Sequence, residues 1–344
     1  MSKKALITGG AGYFGSLLLL RLLDRGYSCR ILDLNNADDC PPEVEFIQGD
    51  IRDYETVLNA CEGMDVVYHN VAQVPLAKNK DLFDSVNITG TDILLKAAQA
   101  TGIKKVIYTS SSAVFGIPRE LPVTEETIPT PGESYGWAKF EGEKLCSNYA
   151  RNGLDVTIIR PRTIMGHGRL GIFQILFEWI RTGTNIPVLG DGSNIYQFVH
   201  ADDLADACIL ASERPGSNIY NCGAENFGTM RHVLEALCIH AGTGSKVKKI
   251  PMDLGVWAMK ITGALNLSPL TTYHWLMYGR SLYFDISKTR NELGWKPKFS
   301  NEQMFIASYD WYLENKNKVF SGQGLSHHRS PVKQGLLKLV QWVL

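Results

Sequence analysis

Short apolar runs alternate with amphipathic stretches through the first half of the chain. Ala5-Leu-Ile-Thr8 is brief and wholly apolar up to its end, which predicts a buried strand. A glycine-rich loop, Gly9 to Gly15, follows it, and Ser16-Leu-Leu-Leu-Leu-Arg-Leu-Leu predicts a helix. Cys29-Arg-Ile-Leu-Asp33 predicts the next strand. The rhythm continues with a strand and turn from Val44 to Asp50, a helix from Tyr54 to Cys61 and a strand from Asp65 to His69. A long helix from Asp81 to Thr101, a strand from Lys105 to Thr109, a helix from Glu133 to Asn148 and a strand from Val156 to Pro161 complete it. Strands that are apolar on both faces and alternate with helices predict an α/β fold with a parallel, doubly wound sheet.

The texture changes after Met165. Phe173 to Arg181 predicts an apolar helix, and Thr184 to Phe198 is turn-rich. His200-Ala-Asp-Asp-Leu-Ala opens another helix, with Asp202 placed to cap it, and Ile219 to Gly223 predicts one more strand. The remainder, to about Asn315, reads as helical. These boundaries predict a nucleotide-binding domain over residues 1–165, to which 195–223 returns, and an interleaved, mostly helical substrate-binding lid over 166–320. Residues 321–344 form a linker and tail in which Val332, Leu336, Leu339, Val340 and Val343 recur at helical spacing. Two readings fit the tail: a helix docked on its own domain or a dimer mate, or peripheral contact with a membrane surface.

The glycine loop carries the first chemistry. Strand, Gly9-Gly-Ala-Gly12-Tyr-Phe-Gly15, helix, strand and terminal Asp33 form the full context of a dinucleotide-binding fingerprint, hence a Rossmann-type sheet. Gly9 and Gly12 let the backbone approach a pyrophosphate at the helix N-terminus, and Gly15 lets the helix pack close to the sheet. Asp33 can accept hydrogen bonds from a ribose diol and would repel a 2′-phosphate. Neither Arg nor Lys directly follows it, so NAD is expected rather than NADP. Tyr135 and Lys139 stand four residues apart, one turn along the predicted helix, downstream of Ser110-Ser111-Ser112. Bringing a tyrosine from a pKa of about 10 to the working range takes about 4 kcal/mol. One ammonium about 4 Å away supplies roughly that at an effective dielectric near 20. Lys139 is therefore expected to lower the Tyr135 pKa, while a serine hydroxyl binds the substrate oxygen.

Composition removes other classes. Thirty-five basic residues balance 35 acidic ones, so no global field points to nucleic acid. Seven cysteines without metal-ligand spacing predict reduced thiols in a cytoplasmic protein and no metal site. No signal peptide is read at the N-terminus, and no apolar run is long enough to span a bilayer.

With these residues placed, the chain resembles the extended short-chain dehydrogenase/reductases, and within them the NAD-dependent epimerase/dehydratase family of UDP-galactose 4-epimerase-like enzymes. The likeness runs from about Lys4 to about Leu313. Its motifs include Thr8 to Gly15, Gly49-Asp50-Ile51-Arg52-Asp53, Val67 to Ala72, Asn87 to Thr91 and Tyr108 to Gly116. Arg160-Pro161, Phe198 to Ala205 and Asp285 to Pro297 extend it. The resemblance implies that Tyr135 is the acid/base, that Lys139 binds the nicotinamide ribose and that Ser111 supplies the catalytic hydroxyl, with Ser112 the runner-up. It implies cofactor contacts from Tyr13, Phe14, Asp50, Ile51, Ala72, Asn87 and Pro161 besides the glycines and Asp33. Ser112 and Ala113 replace the Asp-Glu pair of 4,6-dehydratases, so water elimination is not expected. Thr163 stands where nucleotide-sugar enzymes carry asparagine, and Tyr196 where they carry a diphosphate-binding arginine, whereas Arg280 matches a phosphate-binding one. The leading expectation is epimerisation of a nucleotide sugar by transient oxidation to a keto-sugar and return of the hydride, in a homodimer. The alternative is a dehydrogenase or reductase of a steroid-like or 3-hydroxyacyl substrate.

Overall fold

The computed structural model describes residues 2–35, 40–74, 80–169, 171–264 and 276–320; the predicted tail lies outside them. Seven strands form one parallel sheet: β1 (Lys4–Thr8), β2 (Ser28–Asp33), β3 (Glu45–Gln48), β4 (Val66–His69), β5 (Lys105–Thr109), β6 (Val156–Pro161) and, after three strands outside this sheet, β10 (Ile219–Cys222). Their spatial order is β3-β2-β1-β4-β5-β6-β10. The chain runs outward from β1 to β3, then returns to place β4 on the other side of β1. That reversal opens a crevice at the carboxyl ends of β1 and β4, where ligands bind in such sheets. The Rossmann-type, doubly wound class is thus the observed one. β1, β4 and β5 are buried on both faces, which is why their sequences lack polar alternation.

The expected elements of the first half form with small shifts. The second half holds two strands not expected from the sequence, Ile186–Leu189 in the turn-rich stretch and Val247–Ile250 in the stretch read as helical. The helix Tyr54–Cys61 follows its apolar positions as expected, with Asp53 accepting the Glu55 N–H as its cap. The expected helix from Asp81 to Thr101 is not uniform: Lys80–Leu82 leads into a π-helical stretch, Phe83–Thr89, before α-helix resumes over Gly90–Ala100. The cap expected from Asp202 comes from its neighbour instead. His200 precedes the helix Ala201–Glu213, and its Nδ1 accepts the Asp202 N–H at 3.2 Å.

The second half adds β7 (Thr163–Met165) paired with β9 (Phe198–His200), and β8 (Ile186–Leu189) paired with β11 (Val247–Ile250). Helices Ile172–Arg181, Met230–Ala241, Met252–Ala264 and Asn301–Phe320 pack around these pairs. β10, although late in the sequence, lies beside β6 in the main sheet. Trp295, fully buried, donates its indole N–H to the Asp203 carbonyl at 2.8 Å and ties the C-terminal region to the Ala201–Glu213 helix.

Candidate active site

The carboxyl ends of β1, β2, β4, β5 and β6 face one cavity of about 910 Å³, which continues beneath the helices of the second half. At its nucleotide end the helix Tyr13–Asp24 begins at Gly12 with no side-chain cap and no acidic residue in its first turn. Its first N–H groups are therefore open to an anion, and the helix dipole favours one. Gly9 makes the turn at φ +71°, which an L side chain resists, and a Cβ there would come within 3.0 Å of the Val71 nitrogen. A Cβ at Gly15 would run into the Gly9 carbonyl oxygen, so this glycine seats the helix against the loop. The Asp33 carboxylate accepts the Ala11 and Asn35 N–H groups at 3.1 and 3.0 Å. Burial nevertheless holds its pKa above the ordinary value. Arg52 clasps Asp50, whose carboxyl it pulls below the usual range, beside the buried Ile51. An open helix N-terminus, a carboxylate at the end of the adjacent strand and an apolar wall at Ile51 are what a dinucleotide requires, and these residues fit one. Tyr13, Phe14 and Ala72 border the same space.

At the reacting end, the chain leaves β5 through the serines. Ser111 caps a short 3₁₀ turn, Ser112–Phe115, by accepting the Ala113 N–H at 3.1 Å. Its own hydroxyl hydrogen remains available, and it bonds toward the Tyr135 phenol in the sense that lowers the phenol's pKa. Ser112 is committed elsewhere. It is 2% exposed, and its oxygen accepts a hydrogen bond from Arg162 Nη1 at 2.8 Å.

The helix Ser134–Arg151 delivers Tyr135 and Lys139 from one face. Glu133 caps it, accepting the Tyr135 and Gly136 N–H groups at 2.8 and 2.6 Å, and so fixes where the phenol stands. Lys139 is buried; its ammonium donates to the Thr109 carbonyl at 2.8 Å and lies 4.8 Å from the centre of the Tyr108 ring. Burial lowers its pKa to about 8. Burial also pushes Tyr135 up to about 12, with Glu133 adding to the rise and Ser111 and Arg169 opposing it. This corrects the expectation that Lys139 brings the phenol down. The ammonium is turned to the β5 end and is not among the charges that move Tyr135, so desolvation decides the direction.

Two expected binding residues lie outside the cavity wall. Asn87 is buried in the π-helical stretch, where its side chain accepts the Gln73 N–H at 2.8 Å and donates to the Gln73 carbonyl at 3.0 Å. It holds the loop that lines the cavity and does not itself border it. Arg280 is exposed and also absent from the wall. Pro161, Thr163 and Tyr196 do border it, the last two sharing a hydrogen bond at 3.0 Å.

Sequence reasoning missed the support beneath the site. Glu143, 3% exposed, accepts Arg160 Nε and Nη2 at 2.9 and 2.7 Å and the Ser110 hydroxyl at 2.6 Å. Its signal was present: Glu143 falls one turn after Lys139 on the same helical face. Arg162 is buried between the Tyr196 and Phe284 rings, 4.5 and 5.5 Å from their centres. His167, His200 and Asp202 bring ligand-type atoms within 4.8 Å of one another, a cluster that no sequence spacing announced.

The model of the NAD dependent epimerase/dehydratase family matches residues 5–223, more than half of the chain. The chain belongs to that family. Its members are NAD-dependent oxidoreductases and isomerases, so the protein is an NAD-dependent enzyme. A Sinorhizobium fredii protein described as uncharacterized protein y4nG is 54% identical over 343 residues, covering 99% of this chain and 86% of that one. A UDP-glucose 4-epimerase of Mycolicibacterium smegmatis is 30% identical over 338 residues, covering 92% and 100%. A 3 beta-hydroxysteroid dehydrogenase/Delta 5-->4-isomerase of Mycobacterium tuberculosis is 29% identical over 343 residues, covering 90% of each. Among solved structures, the Thermus thermophilus UDP-glucose 4-epimerase complex with NAD superposes with a TM-score of 0.74 at 26% identity, covering 90% of this chain and 99% of that one. The Thermotoga maritima UDP-glucose 4-epimerase with UDP-glucose gives 0.77 at 24% identity, covering 91% and 99%.

Proposed function

We propose that this family member oxidises a secondary alcohol with Tyr135 as acid/base, Ser111 as the hydroxyl that holds the reacting oxygen, and Lys139 as the cation beneath them. The observation that carries the reading is the convergence of all three on the cavity at the carboxyl edge of β5, beside the open glycine turn. NAD would be held by the glycine turn and Asp33 and would supply the hydride acceptor and a positive charge. Ser111 is favoured over Ser112 because the Ser112 oxygen is already engaged by Arg162. Asp33, with Leu34 and Asn35 after it, supports NAD over NADP.

The substrate has two readings. Epimerisation of a nucleotide sugar is supported by what the Mycolicibacterium and Thermotoga proteins are named for. Net dehydrogenation of an apolar alcohol is supported by the Mycobacterium relative and by the cavity wall. Far from Tyr135 that wall is built from side chains such as Leu176, Trp179, Leu189, Leu234, Met259 and Phe305. A diphosphate needs cations: Arg162 and Arg169 border the cavity, but Tyr196 stands at one expected arginine position, Arg280 lies outside the wall, and apolar side chains make up most of the rest. The wall chemistry favours the apolar alcohol. The deciding experiment denatures purified protein and identifies released small molecules, then follows NADH with UDP-glucose and with a hydroxysteroid. Release of a nucleotide sugar, with no NADH from the steroid, overturns the apolar reading.

The expected homodimer would use the Ser134–Arg151 helix, on which Trp137 is 46% exposed. Sedimentation of Trp137→Glu beside the parent tests this, and an unchanged mass removes that interface.

A further inference from the structure

The helix Met252–Ala264 has two apolar faces. Gly255, Ala258, Met259 and Thr262 wall the cavity. Leu254, Trp257 and Ile261 look outward, 56%, 62% and 38% exposed. At i, i+3 and i+7 they form one continuous stripe along the helix. Soluble surfaces seldom carry such a stripe without a partner. The strand that feeds the helix, β11, exposes Lys248 and Lys249, and Lys246 immediately before it is exposed as well. Asp253 is the single acidic residue of the helix.

We propose that this face docks on an anionic lipid bilayer, with the helix in the plane of the headgroups and the lysines of the β11 edge against the lipid phosphates. Tryptophan and branched apolar side chains flanked by lysines are the composition an interfacial helix needs. A second copy of the chain is the poorer occupant. The helix offers a second copy only Asp253 to pair with the lysines that flank the stripe. The helix that would rest on the bilayer is also a wall of the substrate cavity, so docking sets that cavity against the lipid phase. The docking surface goes beyond the proposed reaction and holds whichever substrate reading is correct.

Flotation of the full chain with phosphatidylcholine vesicles, with and without phosphatidylglycerol, tests it. The parent should float with the phosphatidylglycerol vesicles and be released by salt. Trp257→Glu combined with Ile261→Glu should lower vesicle partitioning roughly tenfold or more. Lys248→Glu combined with Lys249→Glu should abolish the preference for phosphatidylglycerol. NAD binding, read by fluorescence titration, should be unchanged in both variants, which controls for folding. Flotation of the variants equal to the parent would overturn the proposal, as would a parent that stays in the soluble fraction. A parent dimer that Trp257→Glu converts to monomer, without vesicle binding, would assign the stripe to self-association instead.

Discussion

Tyr135 and Lys139 experience the same burial with opposite results, because burial disfavours whichever form is charged. The phenol, raised to about 12, keeps its proton at neutral pH; the ammonium, lowered to about 8, sits close to losing its own. Tyr135→Phe removes the proton-transfer group and little volume. Turnover should fall by roughly two to four orders of magnitude with NAD affinity nearly unchanged, read by steady-state rates and a binding titration. A variant retaining a tenth of parental turnover would remove Tyr135 from the chemistry. Lys139 has a consequence for stability. Below pH 8 both folded and unfolded chains carry its proton, and the cost of burying the charge is present in full. Between about 8 and the ordinary 10.5 the unfolded chain holds the proton and the folded one does not, so stability rises with pH. The gap corresponds to about 3 kcal/mol as an upper bound. Lys139→Met should lose that rise, and denaturant titrations of both proteins between pH 7 and pH 10 should converge or cross. Parallel curves would show that Lys139 does not titrate in this window.

At the scale of elements, the site depends on how the Ser134–Arg151 helix is fastened to β5 and β6. Glu143 joins them, receiving Arg160 from β6 and Ser110 from the end of β5. Breaking a buried pair from one side strands the other charge, at about 3–5 kcal/mol. Glu143→Gln should lower stability by that order and reduce turnover as Ser111 and Tyr135 lose their common support; an unchanged denaturation midpoint would contradict this. Gly136 fastens the helix from the other end, since a Cβ there would run into the Ala113 carbonyl oxygen of the serine turn. Gly136→Ala should cost about 1–3 kcal/mol and lower turnover beyond what unfolding explains. Sequence reasoning reached the strands and helices because burial on both faces of β1, β4 and β5 leaves uninterrupted apolar runs. It reached Gly9, Gly12, Asp33 and Tyr135 because each has a local backbone or spacing reason. It could not reach Arg160 on Glu143, Arg162 on Ser112 or the outward turn of Arg280, since these depend on side chains brought together across the fold. The direction of the Tyr135 shift was misjudged for a related reason. Spacing along a helix gives the position of Lys139 but not the direction of its ammonium.

Across the whole molecule, the cavity has walls from both the sheet and the later helices, so the coupling between these parts controls access to it. Asn301, 1% exposed at the start of the helix Asn301–Phe320, contributes to that coupling indirectly, by holding this helix to β9, which runs straight into the Ala201–Glu213 helix packed on β5 and β6. Its side-chain oxygen accepts the Phe198 N–H at 3.0 Å, and its amide donates to the Tyr196 and Phe227 carbonyls at 2.6 and 3.1 Å. Gln197 adds two more links, donating to the Ala224 carbonyl at 2.7 Å and accepting the Phe284 N–H at 2.9 Å. These bonds join distant stretches through groups that water cannot replace, so the described residues should unfold together. NAD at a hundred times its dissociation constant adds about 2.7 kcal/mol to the folded state, worth a few degrees in Tm. Calorimetry should therefore show one transition that NAD moves as a whole. Asn301→Leu leaves one N–H and two carbonyls without partners, a loss of about 3 kcal/mol or more. It should lower that transition and split it, with NAD raising only the part that contains the glycine turn. A single transition in Asn301→Leu, shifted by NAD as far as in the parent, would show that the sheet and the helical region are coupled by their apolar contacts and not by this side chain.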